Sequence, residues 1–398
     1  MTWTQTTLSA VSDIQTGPFG SQLHAADYVV SGTPAIMPQN IVNGRISTNG
    51  IARVSNKDIK RLVKYCVQPG DIVFSRRGDV ERHALITANE STWLCGTGCL
   101  RVRPNSSLIK PEYLHYYLST PASCAWISGH AHGSTMPNLN TTILGETPIK
   151  FPNRDMQIRI CGILTALDAK IDCNSRINDN LEQQTQALFE LLFVENADPS
   201  WRLGTIEDLG AVVGGSTPSK AKPEYYTDNG IAWITPKDLS IDKSKFISHG
   251  ENDITELGLK NSSATIMPEG TVLFSSRAPI GYIAIAGGDV TTNQGFKSVV
   301  PKANIGTAYV YFFLKHNLPI IEGMASGSTF KEVSGSTMKR VPAMIPDSET
   351  LTRFTDFCAP LFAQQRVLEA QNRELAALRD SLLPRLMSGE IDVSNIQL

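Results

Sequence analysis

The sequence predicts a mixed α/β (α+β) fold: two similar globular halves separated by two long antiparallel coiled-coil helices, with an approximate two-fold relation. Three observations predict it. Apolar or small residues recur at Ile160, Leu164, Leu167, Ile171, Asn174, Asn178, Leu181, Thr185, Leu188 and Leu192, alternating steps of four and three, the seam of a coiled-coil helix. The seam returns 194 residues later at Phe354, Cys358, Leu361, Gln365, Leu368, Asn372, Leu375, Arg379, Leu382 and Leu386. The segments ahead of each helix repeat as well, so the chain divides into a first half at 1–150, a central helix at 151–199, a second half at 200–346 and a C-terminal helix at 347–398.

Taken in order, each half opens on a tryptophan, Trp3 or Trp201, expected to anchor in its core. Leu8, Val11 and Asp13 align with Leu203, Ile206 and Asp208 at an offset of 195, as Gly20-Ser21 does with Gly215-Ser216. The run from Ile36 to Ile41 aligns with that from Ile234 to Leu239 at 198, and GDIVFSRRGDV from Gly70 with GTVLFSSRAPI from Gly270 at 200. Tyr113 then matches Tyr309, and AHGST from Ala131 matches ASGST from Ala325; from there the offset stays at 194 through both helices. Drift in the halves and constancy in the helices marks variable loops on a fixed spacer.

Within each half, the β-rich runs 71–75 and 271–275 read as strands, and 113–118 and 309–314 as short helices. Gly, Pro, Ser, Thr and Asn cluster at 17–21, 133–140, 214–220 and 327–337, which reads as surface loops. Pro152 and Pro346 mark the starts of the long helices, and Asn178 and Asn372 share one seam position, where a polar residue can set helix register. A helix of roughly 40 residues spans about 60 Å. Two of them, antiparallel, would hold the halves apart.

The 398 residues are 41% apolar, enough for two or three cores of an ordinary globular chain. The start MTWTQTTLSAVSD has no signal-peptide pattern and about eighteen apolar residues never occur in a row, so a cytoplasmic protein is expected. Seven cysteines without paired CxxC spacing suit a reducing compartment, and Cys95 and Cys99 lack a His at ligand spacing, so no metal site is expected. The net charge of −2 is partitioned: +4 over 1–150 and +1 over 200–346, against −4 over 151–199 and −3 over 347–398. Only the halves suit a polyanion. The sequence has no Asn/Asp-Pro-Pro-aromatic motif, no GxxxxGK[ST], no HExxH and no GxSxG, and therefore no recognisable catalytic centre.

The order half, helix, half, helix, with the ending SLLPRLMSGEIDV from Ser381, resembles the specificity subunit of type I restriction-modification systems. The paired GST segments, the pairs Pro148/Pro152 and Pro342/Pro346, and the two G-[DT]-[IV]-[VL]-F-S segments carry the resemblance over the full chain. It implies target-recognition domains that each read one part of a split, asymmetric sequence of double-stranded DNA. It also implies helices that dock two modification (methyltransferase) subunits, which carry S-adenosylmethionine and methylate adenine, with restriction (translocase and nuclease) subunits joining them. No cofactor is expected in this chain itself.

Arg or Lys reads guanine and Asn or Gln reads adenine, while Lys, Arg, Ser and Thr hold phosphates. Candidates on expected loops are Ser21, Gln22, Gln39, Asn40, Arg76, Arg77, Arg82, His132, Ser134 and Thr135 in the first half. In the second they are Thr217, Ser219, Lys220, Lys222, Lys237, Ser276, Arg277, Asn293, Gln294, Ser328, Thr329 and Lys331. Residues shared by the halves, such as Arg77 and Arg277, suit phosphate contact or fold support. Residues that differ at matched places, such as Gln39-Asn40 against Lys237-Asp238, suit base reading. The acidic and amide residues Asp168, Asp172, Asp179, Glu182, Gln183, Gln184, Glu369 and Glu374 are assigned to outer helix faces for partner docking. Alternatives stay open: a protein-interaction scaffold that does not read DNA, a subunit of a methylation-only or related phage-defence complex, and an enzyme in its own right.

Overall fold

The computed structural model describes residues 3–133, 135–327 and 331–396, and the chain forms two compact units, 1–170 with 375–398 and 171–374. The division runs through both long helices, Arg154–Glu190 and Ser348–Ser388. Each unit is therefore a globular half with part of each helix packed into it. Among the described residues no helix is long and apolar enough to cross a membrane.

In the first unit, Ser12–Thr16, Cys99–Pro104, Ile72–Ser75 and His83–Leu85 form an antiparallel sheet in that order. Ile72 to Ser75 are buried, as a central strand covered on both faces requires. The helix Pro111–Leu118 packs into the same core, which the C-terminal residues Leu383, Leu386, Met387 and Val393 complete. In the second unit the order is Gly210–Gly214, Lys297–Pro301, Val272–Ser276, Ile280–Ala286 and Phe246–Ile247. Its core is aromatic-rich: Phe189 and Phe193 from the central helix and the turn after it meet Tyr309, Phe312 and Phe354.

One backbone plan serves both units. Thr4–Thr7 pairs with Pro148–Phe151 in the register Thr4↔Phe151, and Arg202–Thr205 pairs with Pro342–Ile345 in the register Arg202↔Ile345. Leu8 N donates to Thr147 O at 2.9 Å as Ile206 N does to Val341 O at 3.0 Å. The Tyr113 hydroxyl donates to Lys150 O at 3.1 Å, and that of Tyr309 to Met344 O at 2.9 Å. These pairs correct the alignment of the first residues. Leu8 corresponds to Ile206 and Val11 to Leu209, an offset of 198 that also relates Trp3 to Trp201, and Gly20-Ser21 is not the counterpart of Gly215-Ser216. The true counterpart is Gly17. A Cβ there would lie 2.1 Å from Gly96 O, as one at Gly215 would lie 2.0 Å from Asn293 O, so neither position accepts a side chain.

Both tryptophans pack against their cores, and the Trp201 indole also donates to Asp347 at 2.9 Å. The segment expected as a loop at 133–140 ends where the helix Thr141–Gly145 begins, whereas the helix Gly335–Lys339 starts inside the one expected at 327–337. Each runs into a helix N-cap, Asn140 or Ser334, whose side-chain oxygen accepts a backbone N–H.

The long helices run antiparallel within each unit. In the first, Arg379 pairs with Asp168 at 2.8 Å while Arg159 donates to Ser394 O at 2.7 Å. In the second, Asn174 donates to Asn372 Oδ1 at 3.0 Å, and Gln365 donates to the Asn178 carbonyl at 3.1 Å. A polar layer therefore crosses the seam. The side-chain partners of Asn372 are Asn174, which is fully buried, and Ser175, to whose hydroxyl it donates at 3.2 Å, and not Asn178, which contributes only backbone.

Three residues assigned to outer faces point inward, because each helix packs on its globular half as well as on the other helix. Asp168 accepts from Tyr116 at 2.5 Å, and Glu369 accepts the backbone N–H groups of Lys245 and Phe246 at 2.7 and 3.1 Å. Glu182 pairs with the buried Lys245 ammonium and with Lys315 at 2.5 Å. Lys245 also donates to Gln365 at 2.7 Å and lies 4.0 Å from the Phe362 ring centroid.

Asn40 and Asp238 cap the same turn in the two units: Met37 N donates to Asn40 Oδ1 at 3.0 Å and Thr235 N to Asp238 Oδ2 at 2.7 Å. Both side chains are buried. They are fold supports, which overturns the assignment of Asn40 to base reading.

Two outcomes follow for stability. Asn40→Ala and Asp238→Ala should each cost about 1–2 kcal/mol in chemical denaturation, because a buried N–H loses its acceptor. Glu182→Gln should cost about 2–4 kcal/mol, because Lys245 stays buried without its counter-charge. Burial pushes the Glu182 carboxyl up, but attraction to Lys245 and Lys315 outweighs it and holds the group below the usual 4.5. The unfolded chain then takes up the proton first, so this stabilisation is present at neutral pH and fades as pH falls through about 4.5 and below. Denaturation midpoints against pH should show that loss in the native chain and a reduced loss in Glu182→Gln.

Candidate nucleic-acid interface

The candidate surface in each unit is an edge where a central strand ends and adjoining loops meet it. In the first unit the chain leaves Ile72–Ser75 through Arg76, Arg77 and Gly78. Arg76 N donates to Gly98 O at 2.8 Å, Leu139 N to Arg76 O at 2.8 Å, and Gly78 N to Pro137 O at 3.0 Å, while Arg77 bridges Asn138. Thr97 Oγ1 donates to Pro18 O at 2.9 Å, bringing in the loop after Gly17. The second unit repeats the frame. Ser276 N donates to Gly295 O at 2.7 Å and Val333 N to Ser276 O at 3.0 Å, while Thr217 and Gln294 join the corresponding loops through a side-chain hydrogen bond. Backbone satisfied in this way is rigid, and it holds the side chains between the bonded groups in fixed places.

Several candidates stand on or beside this edge. Arg77, His132 and Thr135 are exposed, and Arg76 is half-buried, its Nε donating to Leu139 O at 3.2 Å. Gln39 is exposed on a turn whose Pro38 ring would lie 3.3 Å from a Cβ at Gly98. Lys237, at the matched place, pairs with Glu251 at 2.6 Å. In the second unit Gln294 and Lys331 are exposed and Thr217 is half-buried. Arg277 meets Glu332 at 3.5 Å, and Lys297 meets the same carboxylate at 3.8 Å. Burial pushes the Lys297 ammonium down and Glu332 opposes this, so the group titrates below the ordinary lysine value.

Other candidates do different work. Ser276 is fully buried, its hydroxyl donating to Gly295 O at 3.0 Å, which removes it from any DNA surface. The Asn293 carboxamide accepts Gly295 N at 2.8 Å and shapes its own turn. Gln22 accepts from the Tyr65 hydroxyl at 2.6 Å, Lys222 donates to the Tyr225 hydroxyl at 3.0 Å, and Arg82 pairs with Asp79 at 3.0 Å. Ser21, Ser219 and Lys220 are exposed on the loops after Gly17 and Gly215. Ser134, Ser328 and Thr329 lie outside the described residues. His130, two residues before His132, stacks on Trp126 with ring centroids 4.0 Å apart. Cys95 and Cys99 are core residues; burial pushes the Cys95 thiol up to about 12 and Cys99 well above its ordinary value.

Sequence reasoning missed Phe19, Thr97, Asn138, Lys297 and Glu332, all of which belong to the edge. An alignment carried through the variable region at an offset of 197 would have matched Thr97 with Gln294. The established offset of 194 already matches Asn138 with Glu332.

Residues 2–183 and 200–376 match the type I restriction modification DNA specificity domain. The chain is 41% identical over 184 residues to the type I restriction enzyme MjaIX specificity subunit of Methanocaldococcus jannaschii, covering 44% of this chain and 42% of that one. It is 23% identical over 418 residues to the HindI specificity subunit of Haemophilus influenzae, covering 85% and 90%. A crystal structure of the type I restriction-modification S subunit from M. genitalium superposes with a TM-score of 0.59 at 17% identity, covering 97% of this chain and 96% of that one, a likeness of fold. With the family's domain matched in both halves of the sequence, the chain belongs to the type I restriction-modification DNA specificity family.

Proposed function

We propose that this chain chooses the DNA site for a type I restriction-modification complex and performs no chemistry itself. Each unit reads one part of a split, asymmetric target in double-stranded DNA. The observation that carries this reading is the duplicated edge: one backbone frame, with Arg77 and Arg277 at a shared place and different side chains beside them. Shared cations suit phosphates, which carry no sequence information, and the differing side chains suit bases. Phe19 against Thr217, Arg76 against Ser276, Thr97 against Gln294 and Asn138 against Glu332 are the differences. Two frames with different side chains call for two different half-targets.

The long helices dock two modification subunits, which bind S-adenosylmethionine and methylate adenine, and restriction subunits join that assembly. Two similar helices offer two similar surfaces, and Asp179, Gln183, Gln184 and Glu374 remain exposed on them.

With the modification subunits present, the complex should bind duplex DNA, and Arg77→Ala should weaken binding to all sequences alike while reducing the salt slope by about 1. Arg277→Ala should do less, because Glu332 already holds that guanidinium. Fluorescence anisotropy at several salt concentrations reads both. Adenine methylation mapped across the host genome should lose one bipartite motif when the chain is removed. An unchanged methylation map, or methyl transfer by the purified chain alone, would overturn the proposal.

A further inference from the structure

Arg76 is held in a way that the other cations of its unit are not. Its Nε donates to the Leu139 carbonyl at 3.2 Å, and its guanidinium carbon lies 5.9 Å from the Phe19 ring centroid. Neither Nη has a hydrogen-bond or ion-pair partner among the described residues. Arg61, Arg82, Arg101 and Arg103, by contrast, each spend a terminal nitrogen on a carboxylate. Phe19 is 55% exposed and belongs to no core cluster, so burial does not account for an aromatic ring on this loop. What it does is lie beneath a cation.

The second unit supplies the comparison. Ser276 occupies the backbone place of Arg76, with the same N–H bond to a glycine carbonyl and the same carbonyl accepting from the residue after Asn138 or Glu332. Its side chain is short, buried and self-satisfied. Thr217 stands where Phe19 does. The arginine and the ring under it are present together in one unit and absent together from the other.

We propose that Arg76 reads a guanine in the half-target of the first unit and that Phe19 is its positioning residue. This rests on the DNA-reading function proposed above. Guanine presents two acceptors, O6 and N7, on one edge in the major groove, and a guanidinium presents two parallel donors through its Nη atoms. Holding Nε on a backbone carbonyl and the guanidinium against a ring fixes the fork before DNA arrives, so less freedom is lost on binding.

The test selects bound duplexes from a randomised pool with the full chain in complex with its modification subunits. The unaltered complex should enrich an invariant guanine at one position of one half-target. Arg76→Ala should erase it, with discrimination at that position falling about 5- to 150-fold and the rest of the motif kept. Arg76→Lys keeps the charge but lacks the planar fork and should weaken the same guanine. Phe19→Ala should lower the same discrimination about two- to five-fold, and Phe19→Trp should restore it. An unchanged motif in both Arg76 variants, or equal loss on target and random duplex, would overturn the assignment of Arg76. Full discrimination in Phe19→Ala would overturn that of Phe19. Melting curves matching the unaltered chain exclude misfolding as the cause. A complex that binds no duplex even unaltered would fail the DNA-reading function instead.

Discussion

Each unit is closed by antiparallel backbone pairing between its first strand and the strand that leads into its long helix. The registers Thr4↔Phe151 and Arg202↔Ile345 fix where each helix leaves its own half, and the tyrosine hydroxyls of 113 and 309 lock the neighbouring helix to the same strand. Everything with a directional role follows from that closure. The helix start sets which residues face the globular half and which face the other helix, and hence that Asp168 and Glu182 serve the fold while Asp179 and Glu374 stay exposed. A helix tied only by its seam could rotate without such consequences. One tied on two faces cannot.

The repeat was legible because it is written in the parts that pack. The strand at Ile72–Ser75, the helix at Pro111–Leu118 and both seams lie where patterning leads to them, since burial imposes a period that sequence displays. The first residues were misaligned by three. A constant offset of 198 from Trp3 to Ile36 is carried mostly by backbone pairing, which leaves little trace in side-chain identity, and the Gly-Ser coincidence at 20–21 and 215–216 outweighed it. For the same reason Asn40 looked like a reader. An amide on a turn has the chemistry for adenine and equally for capping, and only its burial decides between them. Ser276 erred the same way.

Net charge also needed the structure before it could be used. The surplus on the first half includes Arg101 and Arg103, which are spent on Asp13 at 2.6 Å and Asp71 at 2.7 Å across the sheet. In the second, Lys245 and Lys315 serve Glu182, and Arg277 and Lys297 share Glu332. A cation already paired offers a phosphate little, because the existing partner must first be displaced. Among the described residues, no carboxylate pairs with Arg76 or Arg77, so these two cations of the strand-end edge need displace no existing partner to meet a nucleic acid.

The frame and the side chains it carries obey different constraints. The edge is built from backbone groups: N–H to the carbonyls of Gly98 and Gly295, and carbonyls accepting from Leu139 and Val333. None of these bonds depends on what stands at 76 or 276. An arginine held on the Leu139 carbonyl and a serine whose hydroxyl donates to the Gly295 carbonyl are both accommodated on the same backbone frame. Where recognition is set by side chains on such a frame, a change of sequence preference need not disturb the fold, and the two halves can differ in what they read while sharing how they are built. The glycines at 17 and 215 mark the limit of that freedom. There the backbone approach leaves no room for a Cβ, so variation is confined to the residues just beyond, Phe19 and Thr217 among them.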